Sequence, residues 1–235
     1  MVFRLDERLI FPDPHRGEPN GLIAVGGDLS PERLLLAYRH GIFPWYSFRD
    51  SEICWFCPLQ RFVIFPSEIH VSHSMRTLMR KNRYEVRFNT DFPQTIRHCS
   101  ELRINERGAW LGDDMINAYT ELHWRGCAMS VEVWEGDSMV GGLYGVVIGR
   151  NFFGESMFSL VPSASKLALI ALAQRMEENH LGIIDCQLET KHLKSMGARY
   201  ITYEEYMEIL NPGGMRFFEE HPTVINDGGW TIGNN

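Results

Sequence analysis

The stretch MSVEVW at residues 129–134 begins a run of strands that decides the fold. Apolar and polar side chains alternate there with the period of two that is typical of a β-strand. Two more strand-forming runs, MVGGLYGVVI at 139–148 and FFGESMF at 152–158, follow after short turns at Gly136 and Gly149. Short turns between such runs predict an antiparallel meander of three strands.

The next segment adds a crossover to this meander. Ser163 can cap a long apolar helix that extends to about residue 179, and IIDCQL at 183–188 has the composition of a buried strand. A short helix at 190–196 and a strand at 199–202 follow. A meander, a crossover helix and further strands predict an α+β chain with a mixed sheet covered by helices, which is the outline of acyl-CoA N-acyltransferase-like folds.

The start of the chain has a different character, because it is rich in Pro, Gly and other turn residues. Ser30 and Pro31 predict the first turn of a helix there. We therefore expect a small N-terminal α/β domain at residues 1–58 and an acyltransferase-like domain at 59–235. The Gly- and Asn-rich residues after about 210 should form a loose tail.

Composition indicates an ordinary globular protein, with 44% hydrophobic and 23% charged residues. No run of eighteen apolar residues occurs, and the first residues lack the pattern of a signal peptide, so we expect no membrane association and a cytoplasmic location. Cys54 and Cys57 are the only close pair among five cysteines. Zinc needs about four ligands, and we therefore expect no metal and no cofactor.

The formal net charge of -7 argues against a protein that coats nucleic acid nonspecifically. Residues 61–107 nevertheless carry nine Lys and Arg against five Asp and Glu. Arg76 and Arg80 are four apart and share one face of a predicted helix, and Lys81 and Arg83 follow closely. This cluster predicts contacts with the phosphates of an RNA, although a solvated charged face is the alternative.

Two carboxylates lie in apolar surroundings that require an explanation. Glu155 interrupts the third strand of the meander, and Asp185 interrupts the buried strand that follows the crossover helix. Burying an ionised carboxylate without a partner costs several kcal/mol. An internal salt bridge would explain either one alone, but strands that flank a crossover helix can place both at one cleft, where they would hold a cationic substrate and its amine.

Aromatic side chains form a second candidate group, which includes Tyr38, Trp45, Trp110 and Tyr119. Such residues usually pack in a core. Trp45 differs because it follows the end of a predicted helix, where side chains are often presented to a pocket.

Several motifs together resemble the bacterial leucyl/phenylalanyl-tRNA–protein transferase family, with a match from about residue 11 to residue 210. These motifs are NGLIAVGGDLSP at 20–31, GIFPW at 41–45, VGGLYG at 140–145, GESMFS at 154–159 and IDCQ at 184–187.

The resemblance implies a two-domain aminoacyltransferase. It would carry leucine, phenylalanine or methionine from aminoacyl-tRNA to proteins that begin with Arg or Lys, and so mark them for degradation by the N-end rule pathway. The resemblance also assigns the acceptor-binding and catalytic groups to Glu155, Asp185 and Gln187. It implies that the pocket for the incoming side chain is lined by Tyr38, Trp45, Trp110, Tyr119, Leu143 and Phe152.

The required chemistry is modest, because an aminoacyl ester is already activated and amide formation needs no metal. Our hypothesis is that Asp185, oriented with Gln187, manages the attacking amine. Glu155 would pair with the cationic side chain of the acceptor or help to orient Asp185. The terminal adenosine hydroxyl of the tRNA is an alternative acceptor for the amine proton.

Two other functions compete with this interpretation. An acyl-CoA-dependent acetyltransferase would carry a Gly-rich pyrophosphate loop at the start of the crossover helix, but SLVPSAS at 159–165 contains no glycine. A noncatalytic RNA-binding module would use the basic cluster and exposed aromatic residues, and it leaves the two strand carboxylates unexplained.

Overall fold

The computed structural model describes residues 2–46, 52–103 and 112–212, and these residues form an α+β fold with two β-sheets. The strands are β1 (Phe3–Leu5), β2 (Leu22–Gly26), β3 (Phe43–Tyr46), β4 (Ile53–Phe56), β5 (Gln60–Ile64), β6 (Glu85–Phe88), β7 (Ala128–Glu135), β8 (Ser138–Ile148), β9 (Asn151–Ser159), β10 (Ile184–Asp185) and β11 (Arg199–Thr202). The helices are α1 (Pro31–Arg39), α2 (His73–Arg80), α3 (Phe92–Arg103), α4 (Asp113–Trp124), α5 (Ala164–Glu178), α6 (Lys191–Ser195) and α7 (Tyr203–Leu210).

The first sheet has the strand order β1-β2-β4-β3 and lies within the first 58 residues. Helix α1 begins as the sequence predicts, because the Ser30 side chain accepts a hydrogen bond from the Arg33 backbone and Pro31 occupies the first turn. After the helix, Gly41 adopts a left-handed φ of 72°. A Cβ atom there would lie 2.5 Å from Cε1 of Tyr206, so this position needs glycine on two grounds.

The second sheet contains the predicted meander, and its order is β11-β5-β10-β9-β8-β7-β6. Helix α5 connects β9 to its parallel neighbour β10, which confirms the crossover. Helix α5 begins at Ala164, but Ser163 does not cap it through its side chain. Ser163 instead has a left-handed φ of 71°, and the Ser159 hydroxyl accepts from the Ser165 backbone.

The strand predicted at 183–188 is much shorter in the structure, since β10 contains only Ile184 and Asp185. Gln187 has a left-handed φ of 62°, which is incompatible with an extended strand. The chain therefore leaves the sheet directly after Asp185.

The two faces of the second sheet pack against different helices. Phe153 belongs to a core that includes Tyr38 of α1 and Tyr119 of α4, whereas Phe152 belongs to a core with Met75 of α2 and Leu169 of α5. Adjacent strand residues face opposite sides of a sheet, so β9 contributes to both cores.

The domain boundary predicted at residue 58 falls between the two sheets, and the division into domains stays a prediction. Most of the tail predicted after about residue 210, namely residues 213–235, lies outside the described residues. In the described part of the chain, every helix is too short or too polar to cross a membrane.

Candidate active site

The candidate site is a cleft that opens where two parallel strands diverge. Strands β9 and β10 pair only at Phe152 with Ile184 and at Phe153 with Asp185. Beyond these pairs β9 continues while the chain after β10 turns away. The resulting cleft has a volume of about 430 Å³ and is lined by residues of both strands.

Glu155 enters the cleft wall from a β-bulge. Opposite β8, Gly154 pairs with Gly145 and Ser156 pairs with Tyr144, which leaves Glu155 as the extra residue. A bulge re-aims the side chain of the residue that it inserts. It explains how a carboxylate in the middle of a strand reaches the same cleft as Asp185.

Neutral donors surround the Glu155 carboxylate. The hydroxyl of Tyr38 donates to Oε1 at 2.7 Å, the hydroxyl of Tyr119 donates to Oε2 at 2.9 Å, and Nε2 of Gln187 donates to Oε1 at 2.8 Å. Burial raises the pKa of Glu155 to about 7, and nearby Asp185 adds to this, while the three donors act in the opposite direction. Glu155 is therefore poised to change its charge near neutral pH.

Asp185 has a different environment, because a full cation neutralises it. Nε of Arg61 donates to Oδ1 and Oδ2 at 2.9 and 3.0 Å, and the Arg61 Nη2 donates to Oδ2 at 2.7 Å. The hydroxyl of Tyr206 donates to Oδ2 at 2.6 Å, and the Gln187 backbone N–H donates to Oδ1 at 2.8 Å. The carboxylate of Asp185 is fully buried and occupied by donors from the protein itself.

The guanidinium of Arg61 also has several partners within the protein. It lies 4.8 Å from the ring centroid of Phe43 and 4.9 Å from that of Tyr206. Burial alone would lower the pKa of Arg61, but the attraction of Asp185 outweighs it and the pKa is raised. The Arg61–Asp185 pair is thus a fixed ion pair at the base of the cleft.

Gln187 connects the two carboxylates. Its backbone N–H donates to Asp185 and its side-chain Nε2 donates to Glu155. Gln187 also lines the cleft, and within the described residues no donor pairs with its Oε1. The side chain is therefore fixed through its nitrogen and retains an amide oxygen that can accept a hydrogen bond.

The structure brings three of the predicted substrate-binding residues, Trp45, Leu143 and Phe152, to the wall of this cleft. Tyr38 and Tyr119 lie buried behind Glu155 rather than on the wall, because their hydroxyls are used to hold the carboxylate. Trp110 lies outside the described residues.

The predicted basic cluster lies on the surface of α2 and the turn after it. The side chains of Arg76, Arg80, Lys81 and Arg83 are all exposed. Arg83 donates to Glu135 at 2.6 Å, so part of its charge is balanced within the protein.

Sequence reasoning missed Arg61 and Tyr206, which hold Asp185. Arg61 is the second residue of β5 and stands 124 positions from its partner Asp185. A charged residue beside the apolar run FVIF at 62–65 was the available signal, since buried charges are usually paired.

An apolar cleft with a few convergent polar groups and a carboxyl group of raised pKa has the features of an enzyme active site. A family model described as "Leucyl/phenylalanyl-tRNA protein transferase" matches residues 63–211, and the model of that family's N-terminal domain matches residues 27–59. The chain belongs to this family of aminoacyltransferases.

Similar proteins support the same assignment. A protein of Syntrophobacter fumaroxidans named "Leucyl/phenylalanyl-tRNA--protein transferase" is 46% identical over 97% of this chain and 95% of its own length. A protein of the same name from Nitrosomonas eutropha is 50% identical over 82% of each chain. The solved structure titled "The structure of L-PGS from Bacillus licheniformis" aligns with a TM-score of 0.41 and 11% identity over 72% of this chain and 54% of that chain.

Proposed function

We propose that this chain transfers leucine, phenylalanine or methionine from aminoacyl-tRNA to the amino terminus of proteins that begin with Arg or Lys. The acceptor would thereby be marked for degradation in the cytoplasm by the N-end rule pathway. The observation that carries the proposal is the bridge from Glu155 through Gln187 to Asp185, which borders an apolar cleft.

The apolar part of the cleft suits the side chain of the donor amino acid. Leu143 and Phe152 face α5 from the sheet, Leu169 faces them from that helix, and Trp45 adds an aromatic edge. Burying a leucine or phenylalanine side chain contributes about 1.5–3 kcal/mol. A charged or small donor side chain would lose this stabilisation.

The polar part of the cleft suits a cationic acceptor. Asp185 is already neutralised by Arg61, whereas the described partners of Glu155 are neutral. A cation entering the cleft would therefore be attracted mainly by Glu155, which it would help to keep ionised. This assigns the Arg or Lys side chain of the acceptor to the Glu155 end of the cleft.

The acceptor amine is assigned to Gln187 rather than directly to Asp185. The donors around Asp185 leave it to act as a positioning residue that fixes Gln187. The Oε1 atom of Gln187 would accept a hydrogen bond from the amine and aim its lone pair at the ester carbonyl.

The transfer then needs few steps. The amine nitrogen forms a bond to the carbonyl carbon, and the ester C–O bond to the terminal ribose breaks. An amide side chain does not retain a proton at neutral pH, so the proton lost by the amine ends on the ribose oxygen as it leaves.

Labelled peptide provides the direct test. The protein is incubated with tRNA carrying labelled leucine and with peptides that differ only in a first residue of Arg, Lys, Ala or Glu. We expect label in the Arg and Lys peptides alone. Gln187→Ala and Asp185→Ala should lower transfer by at least about 100-fold while binding of aminoacyl-tRNA stays within about twofold.

Trp124→Ala is the control, because this side chain is exposed and does not line the cleft. If the protein binds charged tRNA but labels no peptide, the RNA-binding module is the better interpretation. Equal loss of transfer and of aminoacyl-tRNA binding in Asp185→Ala would remove the role assigned to that residue.

The proposal extends to the domain layout. The sheet of β1 to β4 would belong to a small domain at 1–58, and the seven-stranded sheet to an acyltransferase-like domain at 59–235. The exposed residues Arg76, Arg80, Lys81 and Arg83 would contact the phosphates of the tRNA.

A further inference from the structure

A second cavity lies beside the cleft and has no role in the transfer step described above. Its volume is about 520 Å³. One wall is formed by the turn-rich residues 14–21, and the other by Gln60 at the start of β5 and Tyr200 of β11. Because β11 is antiparallel to β5, with Thr202 opposite Gln60, this cavity also lies at an end of the seven-stranded sheet.

The two cavities are neighbours that share Leu188. This residue directly follows Gln187, whose amide oxygen we assign to the acceptor amine. Just before Leu188, the Cys186 backbone N–H donates to the carbonyl of Phe62 in the middle of β5, the strand whose first residue, Gln60, lines the second cavity. A polypeptide whose first residue occupies the cleft would thus reach the second cavity by passing over Leu188.

Three large apolar side chains are exposed together at the second cavity. Leu59, Leu188 and Tyr200 line it and are 40%, 42% and 48% exposed, respectively. Large apolar side chains that are exposed together, rather than singly, mark a binding surface. Glu18 adds a carboxylate to the opposite wall, while the His15 ring is paired with Asp13.

We propose that this second cavity binds residues two and three of the acceptor polypeptide and favours a large apolar side chain there. The inference rests on the proposed function, since it extends the acceptor site. The occupant is inferred from the neighbouring site. An acceptor protein continues beyond its first residue, and Leu188, which lines both cavities, connects the proposed site of that first residue with the second cavity. The enzyme would therefore select among proteins that begin with Arg by the residues that follow.

Paired peptides test this directly. Transfer of leucine from charged tRNA is compared for peptides beginning Arg-Leu-Leu and Arg-Gly-Gly, with identical residues afterwards. We expect kcat/KM to favour the apolar peptide by about tenfold, mainly through a lower KM. Leu59→Ser and Tyr200→Ser should each reduce this preference to less than about threefold, whereas Trp124→Ser should leave it unchanged.

The outcomes separate the two proposals. Transfer to both peptides with equal efficiency, or a preference that Leu59→Ser and Tyr200→Ser do not alter, overturns the second cavity as an acceptor site and leaves the proposed function intact. Absence of transfer to every Arg peptide overturns the proposed function itself. If either serine variant changes the sedimentation of the protein without changing the preference, the cavity is an interface between copies of this chain and the inference fails.

Discussion

Glu155 and Asp185 show how neighbours give two acids of one cleft different properties. Asp185 faces the guanidinium of Arg61, so its charge is balanced inside the protein. Glu155 faces two phenols and an amide, which stabilise a carboxylate through hydrogen bonds but supply no positive charge. The site therefore has a fixed ion pair and a separate acid that, among the described residues, has no cationic partner.

The pKa of Glu155 leads to a prediction about stability. The folded protein holds this proton more tightly than the unfolded chain does, because the folded pKa is about 7 and the ordinary value is 4.5. The contribution of Glu155 to the free energy of unfolding is therefore fully present below about pH 4.5 and is lost as pH rises through 7. This loss should amount to about 3 kcal/mol.

Glu155→Gln removes the titrating group and should remove this pH dependence. Urea unfolding at pH 5 and pH 8 would show a smaller difference between the two pH values in the variant than in the parent. Glu208→Gln, at an exposed position of α7, is the control and should leave the difference unchanged. A parent and a Glu155→Gln variant with parallel pH curves would contradict the prediction.

The tyrosines behind Glu155 should tune its titration. Both hydroxyls lower the pKa of Glu155 by donating to its ionised form. Tyr38→Phe or Tyr119→Phe should therefore raise that pKa. Because the proposed acceptor site attracts the Arg side chain through ionised Glu155, kcat/KM for an Arg peptide should rise with pH as Glu155 ionises, and in these variants that rise should shift to higher pH. Tyr84→Phe, which leaves both donors in place, provides the control. If the midpoint of the plot of kcat/KM against pH is unchanged in both phenylalanine variants, Glu155 does not control the pH dependence of transfer.

The sequence predicted the two acids of the site but not the side chains that bind them. Glu155 and Asp185 attract notice because carboxylates are rare in apolar strands, and the structure does bring them to one cleft with Gln187. The partners depend on contacts between distant segments: Tyr38 is 117 positions from Glu155, and Arg61 is 124 from Asp185. Local composition contains no information about such pairings.

Among the elements, the short strand β10 creates the cleft. A strand through residue 188, as the apolar run predicts, would have extended the ladder with β9 and filled the gap. The left-handed conformation of Gln187 ends β10 after Asp185, and its backbone N–H is satisfied by the Asp185 side chain instead of by a neighbouring strand. The carboxylate therefore helps to fix the turn that opens the cleft.

Gly41, just after the end of α1, allows the ring of Tyr206 from α7 to pack closely against the backbone. This close packing can be tested by substitution. Gly41→Ala introduces a side chain at φ 72° and places its Cβ 2.5 Å from Cε1 of Tyr206. We expect the free energy of unfolding to fall by about 2–4 kcal/mol, from the left-handed penalty together with overpacking. Displacing Tyr206 should also lower transfer, because its hydroxyl holds Asp185.

Gly136→Ala is a matched control for this substitution. Gly136 also has a left-handed φ, of 59°, but a Cβ there meets no atom within 4 Å. Gly136→Ala should lower the free energy of unfolding, measured with urea, by only about 1 kcal/mol. Equal losses in the two variants would show that the approach of Tyr206 does not require glycine.

Most elements could be predicted from the sequence because their signals are local. The meander and helix α1 both occur where turn residues and caps predict them. The failures at Ser163 and at 183–188 have a common cause. In both places a non-glycine residue adopts a left-handed conformation, and only contacts made by the folded chain select it.

Over the whole molecule, the distribution of charge matters more than its sum of -7. Helix α2 packs in the same core as α5 and the apolar cleft residues Leu143 and Phe152. Its exposed basic residues therefore lie on the face of the sheet that holds the proposed pocket for the donor side chain. A tRNA whose acceptor end enters the cleft could contact these residues through its phosphates.

Salt dependence of tRNA binding tests this arrangement. The double variant Arg76→Gln and Arg80→Gln should weaken binding of leucyl-tRNA by about tenfold at low salt. It should also reduce the steepness of the plot of log K against log salt concentration by about 1.5, because each phosphate contact contributes about 0.7–0.9 to that slope. Arg97→Gln with Arg125→Gln removes the same charge from α3 and from the end of α4, which pack on the other face of the sheet. That control should change affinity only slightly and leave the slope unaltered, because its charges are remote from the bound phosphates. If both double variants flatten the slope equally, the net charge of the protein rather than the α2 surface governs binding, and the donor approaches from another direction.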